Sequence, residues 1–282
     1  MTDSPSIVLK GSGLEARIAE DRYLPGTFSL VVGGTPQSHV DVGDPSHLFY
    51  EYVRRIGHLV DLVAEPGKPI TAVHLGAGAL TLPRYVEATR PGSRQQVVEL
   101  ERDLVDFVRE HLPLPPKASM RIRYGDAREV LAALPAGLRG SVDLLVVDVF
   151  SGARIPAHVT SLEFYELAAS FLSPGGIIAV NIADGAGLEF ARGQVATLGM
   201  AVGEVAVLAE AGVLGRRRFG NLVLAGAREL PLEWMPRLLA GGPHPAKVLA
   251  GRELRDFTAG AKIVTDATSV QSPEPNRSVF GA

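Results

Sequence analysis

The chain has 282 residues, 46% of them hydrophobic, which is enough for one large globular domain or for one domain with a small appendage. Its 28 basic and 31 acidic residues are interspersed and leave a net charge of −3, so no basic stripe suits nucleic acid and no acidic tail suits a solvating segment. The absence of cysteine excludes disulfides and thiolate chemistry, the N-terminus lacks a signal-peptide pattern, and Pro174, Gly175 and Gly176 break the longest apolar stretch; a cytoplasmic protein acting on small molecules, without membrane or nucleic acid, is expected.

Residues 14–41 alternate apolar and polar positions in Ala16-Arg-Ile-Ala-Glu20 and Thr27-Phe-Ser-Leu-Val-Val32, with turn residues at Pro25-Gly26 and Gly33-Gly34. This predicts a β-hairpin appendage over 1–43, ahead of a main domain over 44–282. Asp44-Pro-Ser46 opens a helix through about Val63, with Phe49, Tyr52, Val53, Ile56, Val60 and Val63 on one stripe, and Glu65-Pro-Gly-Lys-Pro69 closes it. The apolar run Ile70–Leu75 then reads as a buried parallel strand running into Gly76-Ala-Gly78 and a helix from about Thr81.

From there strands and helices alternate. Helix 82–88, strand 95–100, helix 103–111, strand 120–124, helix 127–133 and the strong strand Val142–Val147 are followed by helix 161–171, strand 176–182 and helix 188–198. This pace predicts a parallel, doubly wound α/β sheet. The last two strands, 202–208 and 221–225, are joined by a loop, Glu210–Phe219, too short for a crossover, and should pair as an antiparallel hairpin. After Glu229 come two short helical patterns and a polar end, Ser269-Val-Gln-Ser-Pro-Glu-Pro275, read as surface structure. The fold expected is a Rossmann-like, seven-stranded methyltransferase-type sheet with a small N-terminal β appendage.

In such a sheet the ligand lies at the carboxyl ends of the strands. Gly76 and Gly78 would let backbone approach a ligand, although the third glycine of a dinucleotide fingerprint is Thr81 here. Three acids follow successive strands. Glu99, at the end of the next apolar strand, can accept from both ribose hydroxyls, or be a solvated or capping acid. Asp126 can accept from an adenine amine, or cap the helix it precedes. Asp148 can receive a proton or orient an amine, or serve in capping and packing. His74 is read as a hydrogen-bonded interior histidine and Arg216-Arg-Arg218 as a solvated basic loop. The seven histidines show no metal-ligand spacing, so no metal is expected.

Taken together, Val31-Val-Gly-Gly-Thr-Pro-Gln-Ser38, Tyr50-Glu51, Leu75-Gly-Ala-Gly78, Val98-Glu-Leu-Glu101, Gly125-Asp-Ala-Arg-Glu129, Asp143-Leu-Leu-Val-Val-Asp148 and Glu163-Phe-Tyr165 resemble the spermidine synthase (polyamine aminopropyltransferase) family over most of the chain. The resemblance implies a transferase that binds decarboxylated S-adenosylmethionine and passes its aminopropyl group to a small amine. Gln37 and Glu99 would hold the ribose part, Asp126 would read adenine, Asp148 would assist the amine, and Tyr50 and Tyr165 would lie on the amine side; a homodimer is expected. Two family acids are missing: Ala79 stands where the glycine motif normally carries aspartate, and Ser151 where an acid normally follows the catalytic one.

A hydrogen bond to a charged group contributes about 1.5–3 kcal/mol, so losing two would weaken a diamine by roughly two to four orders of magnitude. An amine other than putrescine is therefore expected. Ala79 also removes a charge that would repel the carboxylate of S-adenosylmethionine itself, which keeps a small-molecule methyltransferase as an alternative. A family member that binds nucleoside without turnover is a second alternative.

Overall fold

The computed structural model describes residues 4–115 and 118–274. A four-stranded antiparallel sheet comes first, β1 (Ser6–Val8), β2 (Glu15–Glu20), β3 (Thr27–Val32) and β4 (Thr35–Asp41), one strand more than the alternating patterns show plus the return of the hairpin. It does not stand apart from the rest. Leu9, Ala16, Ile18, Leu30 and Val40 of this sheet share one apolar cluster with Leu80, Leu104, Val105 and Val108 of the larger unit. Gly11 N–H also donates to Glu101 Oε2 at 3.2 Å, so the small sheet roofs one end of the large one.

Helix α1 (Glu51–Leu62) opens later than the sequence suggests. Asp44 caps a turn instead, accepting from the backbone N–H and hydroxyl of Ser46 at 3.0 and 2.5 Å, and the chain stays irregular to Tyr50. The alternating units follow: β5 (Thr71–Leu75), α2 (Thr81–Thr89), β6 (Arg94–Glu99), α3 (Arg102–His111), β7 (Met120–Tyr124), α4 (Ala127–Ala132), β8 (Val142–Val147), α5 (Leu162–Ala169), β9 (Leu172–Asp184), α6 (Glu189–Val202) and β10 (Glu204–Glu210). The loop expected after β10 contains the short helix α7 (Ala211–Leu214), and β11 (Gly220–Ala227) pairs antiparallel with β10 as expected. No helix among the described residues is long and apolar enough to cross a membrane.

The seven expected strands all form, and the tail adds an eighth. It runs α8 (Trp234–Gly241), β12 (Ala246–Leu249) and α9 (Gly251–Thr258), with β12 antiparallel to β10 at the sheet edge. A four-residue strand between Pro245 and Gly251 is too short to show an alternation. The sheet order is β12-β10-β11-β9-β8-β5-β6-β7, so β5 has β6 on one side and β8 on the other, both parallel to it. That reversal of direction leaves a crevice beyond the carboxyl ends of β5 and β8. The polar end of the tail lies at the surface as expected up to Glu274, with Pro275 outside the described residues. It is anchored at Ser272, which is 0% exposed, its Oγ accepting from Ile155 N–H at 2.9 Å and its carbonyl from Arg154 Nε at 2.7 Å.

Strand β8 is rigid for a simple reason. Val142, Leu144, Leu145, Val146 and Val147 are each 2% exposed or less, covered from both faces, and each contributes about 1.5–3 kcal/mol of hydrophobic stabilisation. Whatever stands at its end is held in place.

Candidate active site

The turn from β5 into α2 builds the floor of the crevice. Gly76 has φ +92°, and a side chain there would overlap the carbonyl oxygen of Asp148; Gly78 has φ +48°, and a side chain there would overlap Ser38 Oγ. Both glycines also line the cavity described below, so the backbone approach to a ligand expected of them stays open. The lack of a Cβ also lets the loop lock against the end of β8 and against β4. Ser38 Oγ completes the lock by accepting from Ala79 N–H at 3.0 Å.

Above this floor lies a cavity of about 420 Å³ lined by Gly76, Gly78, Glu99, Asp126, Asp148 and Gln37, so all of the residues expected to hold the nucleoside meet in one place together with Asp148. Glu99 closes the glycine loop: its Oε2 accepts from Ala77 N–H at 2.9 Å and its Oε1 from Glu101 N–H at 3.1 Å. Burial pushes its carboxyl above the ordinary range, and the N–H groups of Glu101 and Ala77 oppose that shift. Each oxygen keeps a further lone pair for a ligand hydroxyl.

Asp126 does cap α4, with Oδ1 accepting from the N–H groups of Arg128 and Glu129 at 2.9 and 3.1 Å. Its other oxygen lies 2.6 Å from His158 Nε2, a partner with no sequence signal. Burial works against its charge, but the Glu129 N–H, the His158 ring and the Arg128 N–H together hold the carboxyl below its usual range. Capping and ligand contact are thus both open to one side chain.

Asp148 stands one residue beyond β8, where Asn181 Nδ2 donates to its Oδ1 at 2.8 Å and Tyr52 lines the first cavity with it. Asn221 Nδ2 in turn donates to Asn181 Oδ1 at 3.0 Å. Burial pushes the Asp148 carboxyl above the ordinary range, with Asn181 and Tyr52 opposing it. A second cavity, of about 390 Å³, lies on the far side of this network, lined by Tyr50, Asn181, Asn221 and Phe219 among others. Gln37, Tyr52, Phe150 and Gly152 line both cavities, and Gln37 Nε2 reaches the Gly152 carbonyl at 3.4 Å. Asp148 lines the first cavity and Asn181 the second, so their contact joins the two chambers.

Three other expectations come out differently. Tyr165 lines neither cavity; it is 0% exposed in the core under α5, with its hydroxyl donated to Gln194 Oε1 at 2.6 Å. Arg218 is not simply solvated, because it lines the second cavity and pairs with Glu210 and, at 3.6 Å, with Glu51. Ala79 is 0% exposed and lies outside both linings, whereas Ser151 does line the first cavity. His74 is interior as expected, with Nε2 3.0 Å from Gln95 Oε1, and burial lowers its pKa to about 4. No group of three or more His, Asp or Glu suited to a metal occurs among the described residues.

Tyr52, Asn181, Asn221 and His158 carry no role in the sequence reading. Asn181 had a usable signal, as the lone polar residue inside the apolar run Ile177-Ile-Ala-Val-Asn-Ile182 of β9. Tyr52 had the position of a stripe residue, which hid it.

The strand order and a site built on the ends of β5, β6 and β8 define a protein of the methyltransferase-type α/β class. No family model matches the chain. A probable spermidine synthase from Corynebacterium glutamicum is similar in structure with a TM-score of 0.83 and 30% identity, covering 94% of this chain and 97% of that one. A polyamine aminopropyltransferase from Vibrio vulnificus is 28% identical over 135 residues, 48% of this chain and 44% of that protein. Human methyltransferase-like protein 13, solved with SAH, shares the fold at a TM-score of 0.53 and 17% identity, over 75% of this chain and 91% of that one. The chain spans about half the length of the first two curated relatives, 44% and 57%. It belongs to the spermidine synthase (polyamine aminopropyltransferase) family.

Proposed function

We propose that the protein is an aminopropyltransferase-like enzyme that takes decarboxylated S-adenosylmethionine in the first cavity and an amine in the second, and joins them at Asp148. One observation carries this reading: among the described residues, the lining of the first cavity holds the carboxylates Glu99, Glu101, Asp126 and Asp148 and no lysine or arginine, and of its histidines His158 is already paired with Asp126 at 2.6 Å. That lining suits a ligand carrying a sulfonium and an ammonium. Its described residues offer no lysine or arginine to the phosphates of a dinucleotide or to the carboxylate of S-adenosylmethionine. The family membership points the same way.

In the step proposed, the amine nitrogen attacks the aminopropyl carbon bound to sulfur. The C–N bond forms as the C–S bond breaks, the electron pair returns to sulfur as a neutral thioether, and the new ammonium loses a proton. Asp148 is the group at the junction of the chambers that can orient the amine and take that proton. A carboxyl raised by burial is a better acceptor than a solvated one, so turnover should fall as pH drops through its raised pKa. Asn181 fixes its direction.

The test is Asp148→Asn, assayed by release of methylthioadenosine from decarboxylated S-adenosylmethionine. Loss of the proton acceptor should lower turnover by about 10²–10⁴ while nucleoside affinity changes little. Full rate in Asp148→Asn, or lost nucleoside binding, would reject the role. Thermal shift with both sulfonium nucleosides decides the donor, since a ligand at 100 times its Kd stabilises by about 2.7 kcal/mol. A response to S-adenosylmethionine alone would favour methyl transfer, and no response to either would favour a protein without turnover.

A further inference from the structure

The second cavity has a charge pattern that aminopropyl transfer does not itself require. Its walls are aromatic, from Tyr50, Tyr52, Phe150 and Phe219, and its charged lining residues are Glu51, Arg55 and Arg218. Of the described residues, two guanidinium groups and one carboxylate face the cavity, with the Glu210 carboxylate behind them. Arg55 is 2% exposed, yet its contacts are long: Nη1 is 3.4 Å from Glu51 Oε2 and Nη2 is 3.3 Å from the Pro243 carbonyl. Arg218 pairs with Glu210, which lies outside the lining, and stands 3.6 Å from the same Glu51 oxygen. Glu51, itself half exposed, is thus shared between two cations.

An amine that places its nitrogen at Asp148 extends its other end into this chamber. A diamine would bring a second ammonium there, and the one carboxylate of the described lining able to receive it is already held by Arg55 and Arg218. The cation would have to displace them while lying beside both. A carboxylate meets the opposite situation, since the two guanidiniums are donors with incomplete shells, and Glu51 can swing to solvent when replaced. Building on the transfer reading above, we propose that the acceptor is an amine bearing a carboxylate at its far end, of the amino-acid type, carried on a short apolar chain.

The experiment compares three amines of equal chain length that differ in the far group: 4-aminobutanoate, butylamine and 1,4-diaminobutane. Binding of each is measured by calorimetry to protein saturated with methylthioadenosine, and turnover of each is measured with decarboxylated S-adenosylmethionine. The expected order is 4-aminobutanoate, then butylamine, then 1,4-diaminobutane, with about tenfold or more between first and second from the charge-assisted contacts. In Arg218→Ala the preference should shrink, and in Arg218→Glu it should reverse; this side chain is half exposed, so both variants should fold.

Tighter binding of 1,4-diaminobutane than of butylamine, an order unchanged in Arg218→Glu, or no binding of any of the three would overturn the inference. The two claims separate cleanly. Transfer of the aminopropyl group to 1,4-diaminobutane in preference would keep the transfer reading and reject the acceptor class. Binding of 4-aminobutanoate without any transfer would do the reverse.

Discussion

The two chambers at the Asp148–Asn181 contact differ in charge. Among the described residues, the first is lined by four carboxylates with no lysine or arginine, and the second by two arginines with one carboxylate. Yet they share a wall of Gln37, Tyr52, Phe150 and Gly152, and the Asn181–Asp148 contact bridges them at 2.8 Å. A sheet of this kind makes one crevice at its switch point; what divides that crevice is the side chains of α1 and of the segment after β8, reached by Gln37 from the small N-terminal sheet. In the proposed reading, selectivity for a donor and for an acceptor is set separately while the reacting groups are held at one point.

This division depends on the glycine lock, and the largest expected effect comes from breaking it. Gly76→Ala forces a Cβ onto the Asp148 carbonyl at a φ of +92°, and the end of β8 is too tightly packed to move away. A loss of about 3–5 kcal/mol in urea unfolding is expected, with nucleoside binding lost as well. A mild loss with both functions intact would show that the two chambers are not joined through a rigid contact.

The next effect distinguishes the floor of the first chamber by pH. His74 lines it from within β5 and stays neutral in the fold down to about pH 4, because burial opposes its charge. An unfolded histidine takes up its proton below about 6.5, so the unfolded state binds more protons in that window and stability falls as pH falls through it. The loss should reach about 3 kcal/mol by pH 4, and His74→Gln should flatten the dependence in denaturant titrations. An unchanged slope in that variant would mean that other groups carry the acid sensitivity.

Much of this was legible in the chain. The parallel units came from periodicity, and Glu99, Asp126 and Asp148 from their places after strands; all three do line one cavity. The second chamber was not legible, for physical reasons. Arg55 and Arg218 are 163 positions apart, brought together only because α1 packs across the sheet near the β10–β11 turn. Tyr165 is placed on the amine side only by the resemblance of Glu163-Phe-Tyr165, and in the fold it fills the core instead. The glycines are legible in position, and a second reason for them is not: Asp148 backbone and Ser38 pack against them, neither nearby in sequence.

The most direct test of the divided site asks whether Glu99 touches the ribose, because that contact fixes the donor in the first chamber. Glu99 also holds the N–H groups of Ala77 and Glu101, so Glu99→Gln alone mixes loop support with ligand contact. A cycle separates them: methylthioadenosine and its 2′-deoxy analogue are each titrated into the wild-type protein and into Glu99→Gln by calorimetry. A ribose hydroxyl bound by the carboxylate predicts a coupling of about 1.5–3 kcal/mol, with the deoxy analogue weaker on wild type and nearly equal on the variant. Zero coupling, with the analogue weakened equally on both proteins or on neither, would contradict the assignment of this chamber to the nucleoside.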